Sequence, residues 1–436
     1  MKVRALVLLV VLSHWNLSAA EAQSPAAPDQ HQHGAADQPA HDMSQMEHGD
    51  VLSSREGSGT SWLPDETPMY AFHSEAGGWM VMTHGNAFVQ YLHETGDRGS
   101  HQLGSVNWLM AAGARPLGTG RVTVRGMVSL EPFTIAGCGY PDLLASGEVC
   151  RGQSIHDRQH PHDLFMELAA AYERDLTRGL RLQVYGGPAG EPALGPVAFP
   201  HRISAMVNPL APLTHHWLDA THITYGVVTA GVFTTRWKAE ASVFNGREPD
   251  ENRTGFDFGA MDSISARVSF APAREWAIQA SASHLNEAEA GHAGEPRTDV
   301  TRVTASAIYH RRLGPGRMWA STIAWGRNDE RDRSATDALL TETSVTIDER
   351  DVWFGRFELA DKSAHDLDVP GGERETFATA KLQVGYTRYL AEWNGLQPGY
   401  GAEISAGFVP ESLSPIYGRQ FNPGFAIYVT LRPAGH

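Results

Sequence analysis

From residue 78 to the C-terminus, apolar and polar side chains alternate with a period of two, not 3.6, which is the pattern of extended strands. Residues 120–130 show it best. Val122, Val124, Gly126, Val128 and Leu130 fall on one face, and Arg121, Thr123, Arg125, Met127 and Ser129 on the other, because successive strand side chains point opposite ways. The same alternation runs through 180–186, 223–233, 264–270, 378–386, 400–408 and 425–431. Segments of about ten residues are long enough to cross a bilayer as tilted strands.

Connection lengths carry the second half of the pattern. Short turns are expected at 114–120, 175–179, 234–236, 271–275, 311–317, 348–351 and 392–399. Longer stretches fall between them at 94–100, 132–162, 188–221, 246–261, 286–299, 327–336, 362–375 and 410–423. Eight long loops alternating with seven short turns give about sixteen strands, with fourteen and eighteen as the neighbouring solutions. The expected fold is all-β, a transmembrane antiparallel barrel with both termini on the short-turn side. Residues 161–175 also have helix-forming composition around Leu168 and Ala171; the alternation of Leu164, Met166, Leu168, Ala170 and Tyr172 favours a strand, and the strand count then closes. Residues 339–347 are the weakest strand. Aromatics such as Trp79, Tyr91, Trp108, Tyr172, Tyr185, Trp237, Trp276, Tyr309, Trp319, Trp325, Trp353, Tyr386, Tyr400 and Tyr428 fall near strand ends, as interfacial girdles would place them.

Composition narrows the class further. The 436 residues carry 35 Lys+Arg against 50 Asp+Glu, a formal charge of −15. That excludes a nucleic-acid binder, which needs a basic face. After the first twenty residues, no apolar run reaches the length of a membrane helix. The N-terminus reads as a secretory signal over residues 1–22. Lys2 and Arg4 precede an apolar run from Ala5 to Leu12, and Ala20-Glu21-Ala22 supplies the small-residue cleavage site. Export suits the two cysteines, Cys138 and Cys150, as a disulfide closing a short loop.

Residues 23–77 read as a disordered leader and linker before a barrel over 78–436. Within the leader, His31, His33, His41, Met43, Met46 and His48 lie inside eighteen residues. Thioether sulfur is selective for Cu(I), and imidazole suits Cu(II), zinc and nickel, so a flexible chain could wrap these donors round one ion. Two further histidine groups, His156, His160 and His162 with Asp157 and Asp163, and His215, His216 and His222 with Asp219, belong to loops separated by one hairpin. They are expected together at the external rim, either as metal ligands with carboxylates orienting the imidazoles or as hydrogen-bonding groups that order the loops. His215, Asp219 and His222 sit at i, i+4 and i+7, one face of a helix. A hydrolase using a serine such as Ser154 or Ser204 with a His and Asp is a further possibility, with no nucleophile motif to select the serine. On the first strand Met80, Met82 and His84 share one parity. Arg121, Arg125, Arg181 and Arg267 are expected to face the lumen and favour anions.

The strand pattern from Gly78 to Leu431 resembles Gram-negative outer-membrane β-barrels. The last strand, Phe425 to Leu431, resembles their closing strand, although Arg432 to His436 follows it. With His41, Met43, Met46 and His48 ahead of the barrel, the layout is similar to outer-membrane copper-resistance proteins of the copper-resistance protein B type. That resemblance implies a barrel in the bacterial outer membrane with its leader in the periplasm. It would bind copper for efflux, sequestration or resistance, without an enzymatic activity. Its partners would be outer-membrane lipid, the metal ion and periplasmic metal-handling proteins. The alternative is a general porin or small-solute channel.

Overall fold

A computed structural model describes residues 55–289, 297–331, 333–372 and 374–435. The signal segment and the leader donors from His31 to His48 lie outside the described residues. A short strand β1 (Phe72–Ala76) turns back through Gly77 and Gly78 onto the start of β2 (Trp79–Glu94). Both turn glycines have positive φ, 58° and 77°, which a two-residue hairpin turn of this twist requires. The chain continues through β3 (His101–Leu117) and β4 (Gly120–Val128). A separate hairpin, β5 (Tyr140–Cys150) and β6 (Gln153–Gln159), interrupts the meander. Next come β7 (Phe165–Thr177), β8 (Leu180–Ala189), β9 (Val227–Phe233), β10 (Trp237–Phe244), β11 (Ser263–Phe270) and β12 (Trp276–Glu289). The meander ends with β13 (Thr298–Gly314), β14 (Arg317–Glu330), β15 (Thr336–Ile347), β16 (Asp351–Ser363), β17 (Thr376–Tyr389), β18 (Leu396–Phe408) and β19 (Phe421–Pro433).

β19 pairs antiparallel with β2, from Gly424 opposite Glu94 to Leu431 opposite Ala87, and this seam closes a ring of sixteen strands among the described residues. A closed sheet leaves no unpaired edge. The strand reading of residues 161–175 holds in β7, and the segment with the weakest sequence pattern, 339–347, lies in β15, which is paired on both sides. The outer surface is apolar where a soluble protein would be polar: Leu103 is 69% and Ile404 67% exposed, with Val89, Val228, Ile264, Val268, Ile427 and Val429 all above half. So large an exposed apolar surface marks contact with lipid or another apolar phase. Trp276 and Tyr309 (ring centroids 4.7 Å apart) and Trp353 and Tyr386 (4.8 Å) pair on that surface near the short turns. Tyr185 and Tyr428 do not join them; their parity turns them inward, where they are buried.

Residues 55–77 depart from the expected linker. They enter at the short-turn side, where the Arg55 side chain donates to the Thr235 carbonyl (2.5 Å). They then loop into the lumen and return. At the tip, Arg125 donates to the Gly59 carbonyl. Lys238 donates to the Thr60 carbonyl (2.6 Å) and Arg267 to the Thr60 hydroxyl (3.0 Å). The segment is ordered because these buried wall charges need acceptors.

Candidate functional site in the barrel lumen

The third long loop is the main surprise. Residues 190–226 turn into the ring instead of standing above it. A bridge between Gly190 and Thr224 forms the neck (N–O 3.0 and 2.9 Å). From there the loop crosses to the opposite wall. Arg202 is fully buried and donates to Glu342 (2.7 Å), Asp219 (2.7 Å) and the Val197 carbonyl (2.8 Å). Ser204 bonds Thr322 and Glu342, Thr214 donates to Glu358, and Arg356 donates to the Leu210 carbonyl. The β5–β6 hairpin adds a second layer: Tyr140 accepts from the Ala211 amide, and Lys381 and Lys362 reach Asp142 and Ser146. The expected disulfide, Cys138–Cys150, is present in this hairpin with a Cα–Cα distance of 5.8 Å.

Four of the expected lumen arginines do face inward, and all four are paired with carboxylates. Arg121 meets Glu56 and Glu173, Arg125 meets Glu167 (2.9 Å), Arg181 meets Glu173 (3.4 Å) and Asp175 (3.2 Å), and Arg267 meets Glu240 (2.9 Å). Anion preference from bare guanidinium groups therefore does not follow, because each charge is neutralised beside its source.

The two histidine loops do meet, but inside the barrel and not at its rim. His160 lies 6.4 Å from His215 and 5.9 Å from His216, centroid to centroid. His222 lies 5.1 Å from His215 and 5.3 Å from His162, and Phe199 inserts among them. The helical face expected from the i, i+4, i+7 spacing is realised across two short turns, His215–Leu218 and Ala220–His222. His215 Nδ1 contacts Asp219 Oδ1 and His222 Nδ1 donates to the Asp219 carbonyl, each at 2.8 Å. His156 stands apart, against Asp157 (3.2 Å) and Asp368 (3.5 Å). Asp157 caps the Leu144 amide and pairs with Arg98; Asp163 faces Arg253. Among the described residues no three His, Cys, Asp or Glu side chains converge as a metal-binding group. The hydrolase reading loses Ser204, whose hydroxyl is engaged by Glu342 and Thr322 on the far wall.

Burial decides the charge state of these imidazoles. It lowers His215 to about 4 despite Asp219, and His216 to about 3 with help from Lys362 and Arg302. His160 and His222 are also held well below their ordinary value, first by burial and then by neighbouring histidines. His162 moves the other way: burial opposes it, but Glu131 (2.9 Å) raises it. A released loop would take up protons on the four lowered histidines near pH 6.5. Their packing is therefore complete above that pH and is lost as pH falls toward 4. The His162–Glu131 contribution has the opposite sign, present below pH 6.5 and lost as pH rises through its raised value. Four lowered groups outweigh one raised. Cleavage within residues 190–226 by an acid-tolerant protease should rise between pH 6.5 and 4 while the heat-resistant barrel persists. Equal protection at both pH values would contradict this account. A related test is Gly147→Ala. Gly147 has φ +123°, and a Cβ there would sit 2.2 Å from the His216 ring, so the substitution should loosen the hairpin from the loop and increase the same cleavage.

A second feature was only half legible. His84, Met110 and Met127 stand directly opposite one another on β2, β3 and β4, all facing inward. Met82 and Met166 belong to the same cluster. His201, from the inward loop, closes over them. Met82, His84, Met110 and His201, together with Met69, Trp108 and Met206, line an open cavity of about 80 Å³. The shared parity of Met80, Met82 and His84 leaves either the lumen or the lipid face open, and alignment of His84 with Met110 depends on cross-strand register.

No family model and no curated protein matches the chain. Solved structures do. OmpF of Salmonella typhi, in complex with daunomycin, aligns with TM-score 0.50 at 10% identity over 83% of this chain and 100% of that one. An anion-selective porin from Comamonas acidovorans aligns with TM-score 0.48 at 10% identity over 81% and 99%. OmpT, an outer membrane protein of Vibrio cholerae, aligns with TM-score 0.45 at 8% identity over 83% and 99%. The likeness to copper-resistance protein B finds no support among these three. The likeness to OmpF is one of fold alone: a closed, sixteen-stranded antiparallel barrel.

Proposed function

We propose that the protein is a bacterial outer-membrane channel for small polar solutes, narrowed from within, with its long loops outside and its short turns in the periplasm. One observation carries this reading: a closed ring of sixteen strands that is apolar outside and lined inside by charged residues such as Lys238, Glu240, Arg302, Glu342, Arg356 and Glu358. Barrels of this size enclose an aqueous space, and a lipid-facing exterior with a polar interior serves passage across the bilayer. The test is single-channel recording in planar bilayers with the mature protein. Small discrete conductance steps are expected, because the inward loop and residues 55–67 occupy much of the bore. Silent bilayers over the full voltage range, with correctly folded heat-modifiable protein, would overturn the reading. A second reading, metal binding, is favoured by the thioether and imidazole side chains gathered on one wall of the lumen.

A further inference from the structure

We propose that the lumen wall binds a soft monovalent cation, Cu(I) or Ag(I), through His84, Met110 and His201, with Met82 as a neighbouring donor. These side chains are distinct from the His160, His162, His215, His216 and His222 group, although His201 comes from the same inward loop as the last three. His84 Nε2 is 3.1 Å from Met110 Sδ, so an imidazole nitrogen and a thioether sulfur are already in direct contact. The His201 ring lies 5.5 Å from the His84 ring, centroid to centroid, and comes from the loop that covers the wall. Trp108 touches both, at 5.1 Å from His84 and 4.8 Å from His201. These groups border the open cavity of about 80 Å³, which gives an ion a route to them.

The ligand chemistry selects the ion. Thioether sulfur is a weak donor to hard cations and a good one to Cu(I). Imidazole nitrogen is a good donor to the same soft ions. Methionine also serves as an adaptable filler in apolar cores. Filling does not account for this place, because the side chains border empty space. An indole face next to the site suits a cation further. Arg125 nearby does not repel the ion strongly, since Glu167 neutralises it at 2.9 Å.

The test uses the full mature chain, with the leader donors removed by His31→Ala, His33→Ala, His41→Ala, His48→Ala, Met43→Leu and Met46→Leu. Ag(I) serves as the probe because it needs no reductant. One Ag(I) should bind per chain, and X-ray absorption should show sulfur together with nitrogen around it. Met110→Leu keeps the volume and should weaken binding at least tenfold and remove sulfur from the ligand shell. His84→Phe should weaken it similarly. Met261→Leu, outside the cavity, should change nothing. Heat-modifiable migration checks that each barrel folds, and Met110→Leu keeps the test decisive if His84→Phe does not. Absence of binding in the leader-substituted chain, or equal affinity in Met110→Leu, would overturn the proposal whatever the conductance recordings show.

Discussion

Replacing residues 194–222 with a short Gly-Ser turn should raise single-channel conductance several-fold. The neck of the loop is already a pair of hydrogen bonds between Gly190 and Thr224, so β8 and β9 remain joined as a compact hairpin. The ring itself holds through strand pairing that the loop does not share. What disappears is the material spanning the bore: Trp217, Leu218, Leu210, Val207 and the buried Arg202, all nearly inaccessible. Wall groups that lose their partners, including Glu342, Glu358 and Arg356, become solvated by incoming water and are not left buried and unpaired, so the barrel should tolerate the change. An unchanged conductance would mean that the β5–β6 hairpin, not this loop, sets the constriction.

Arg202→Met should release the loop without deleting it. The guanidinium joins Asp219 on the loop to Glu342 on the wall, at 2.7 Å each, while fully buried. Removing one member of a buried ionic network leaves uncompensated charge and costs about 3–5 kcal/mol. Glu342 keeps Arg356 (3.3 Å) and Ser204 (2.9 Å); among the described residues the Asp219 carboxylate keeps His215 and the Phe199 amide. The loop should therefore become protease-sensitive at neutral pH, in the way that acid alone is expected to make it. Adding Asp219→Asn and Glu342→Gln removes the stranded charges and should restore much of the protection. If Arg202→Met alone leaves the loop protected, the network does not anchor it.

The ring was legible because each strand carries its own evidence. Arg121 and Arg125 alternate with Val122 and Val124, and the structure places the first pair inside and the second outside. The loops carried no such local signal. Position in the strand count places residues 188–221 outside, yet their content argues otherwise: Ala193, Leu194, Val197, Leu210, Leu213, Trp217 and Leu218 are too apolar for a segment standing in water. Ser58, Gly59 and Thr60 resembled a linker because their order comes from Arg125, Lys238 and Arg267, far along the chain. The meeting of His160 with His215 and His216 followed from loop adjacency, whereas its depth inside the barrel depended on that misplaced loop.

The segment that starts at Arg55 goes in and comes out by one mouth. Arg55 contacts Thr235 in one short turn, and Glu66 contacts Arg274 in another. The backbone therefore makes a loose bight within the cylinder and is not threaded through it. A tug on its upstream end would have to break side-chain bonds from Arg125, Lys238 and Arg267, but no rung of the sixteen-strand ladder. Withdrawing it would leave every strand pairing of the surrounding wall in place.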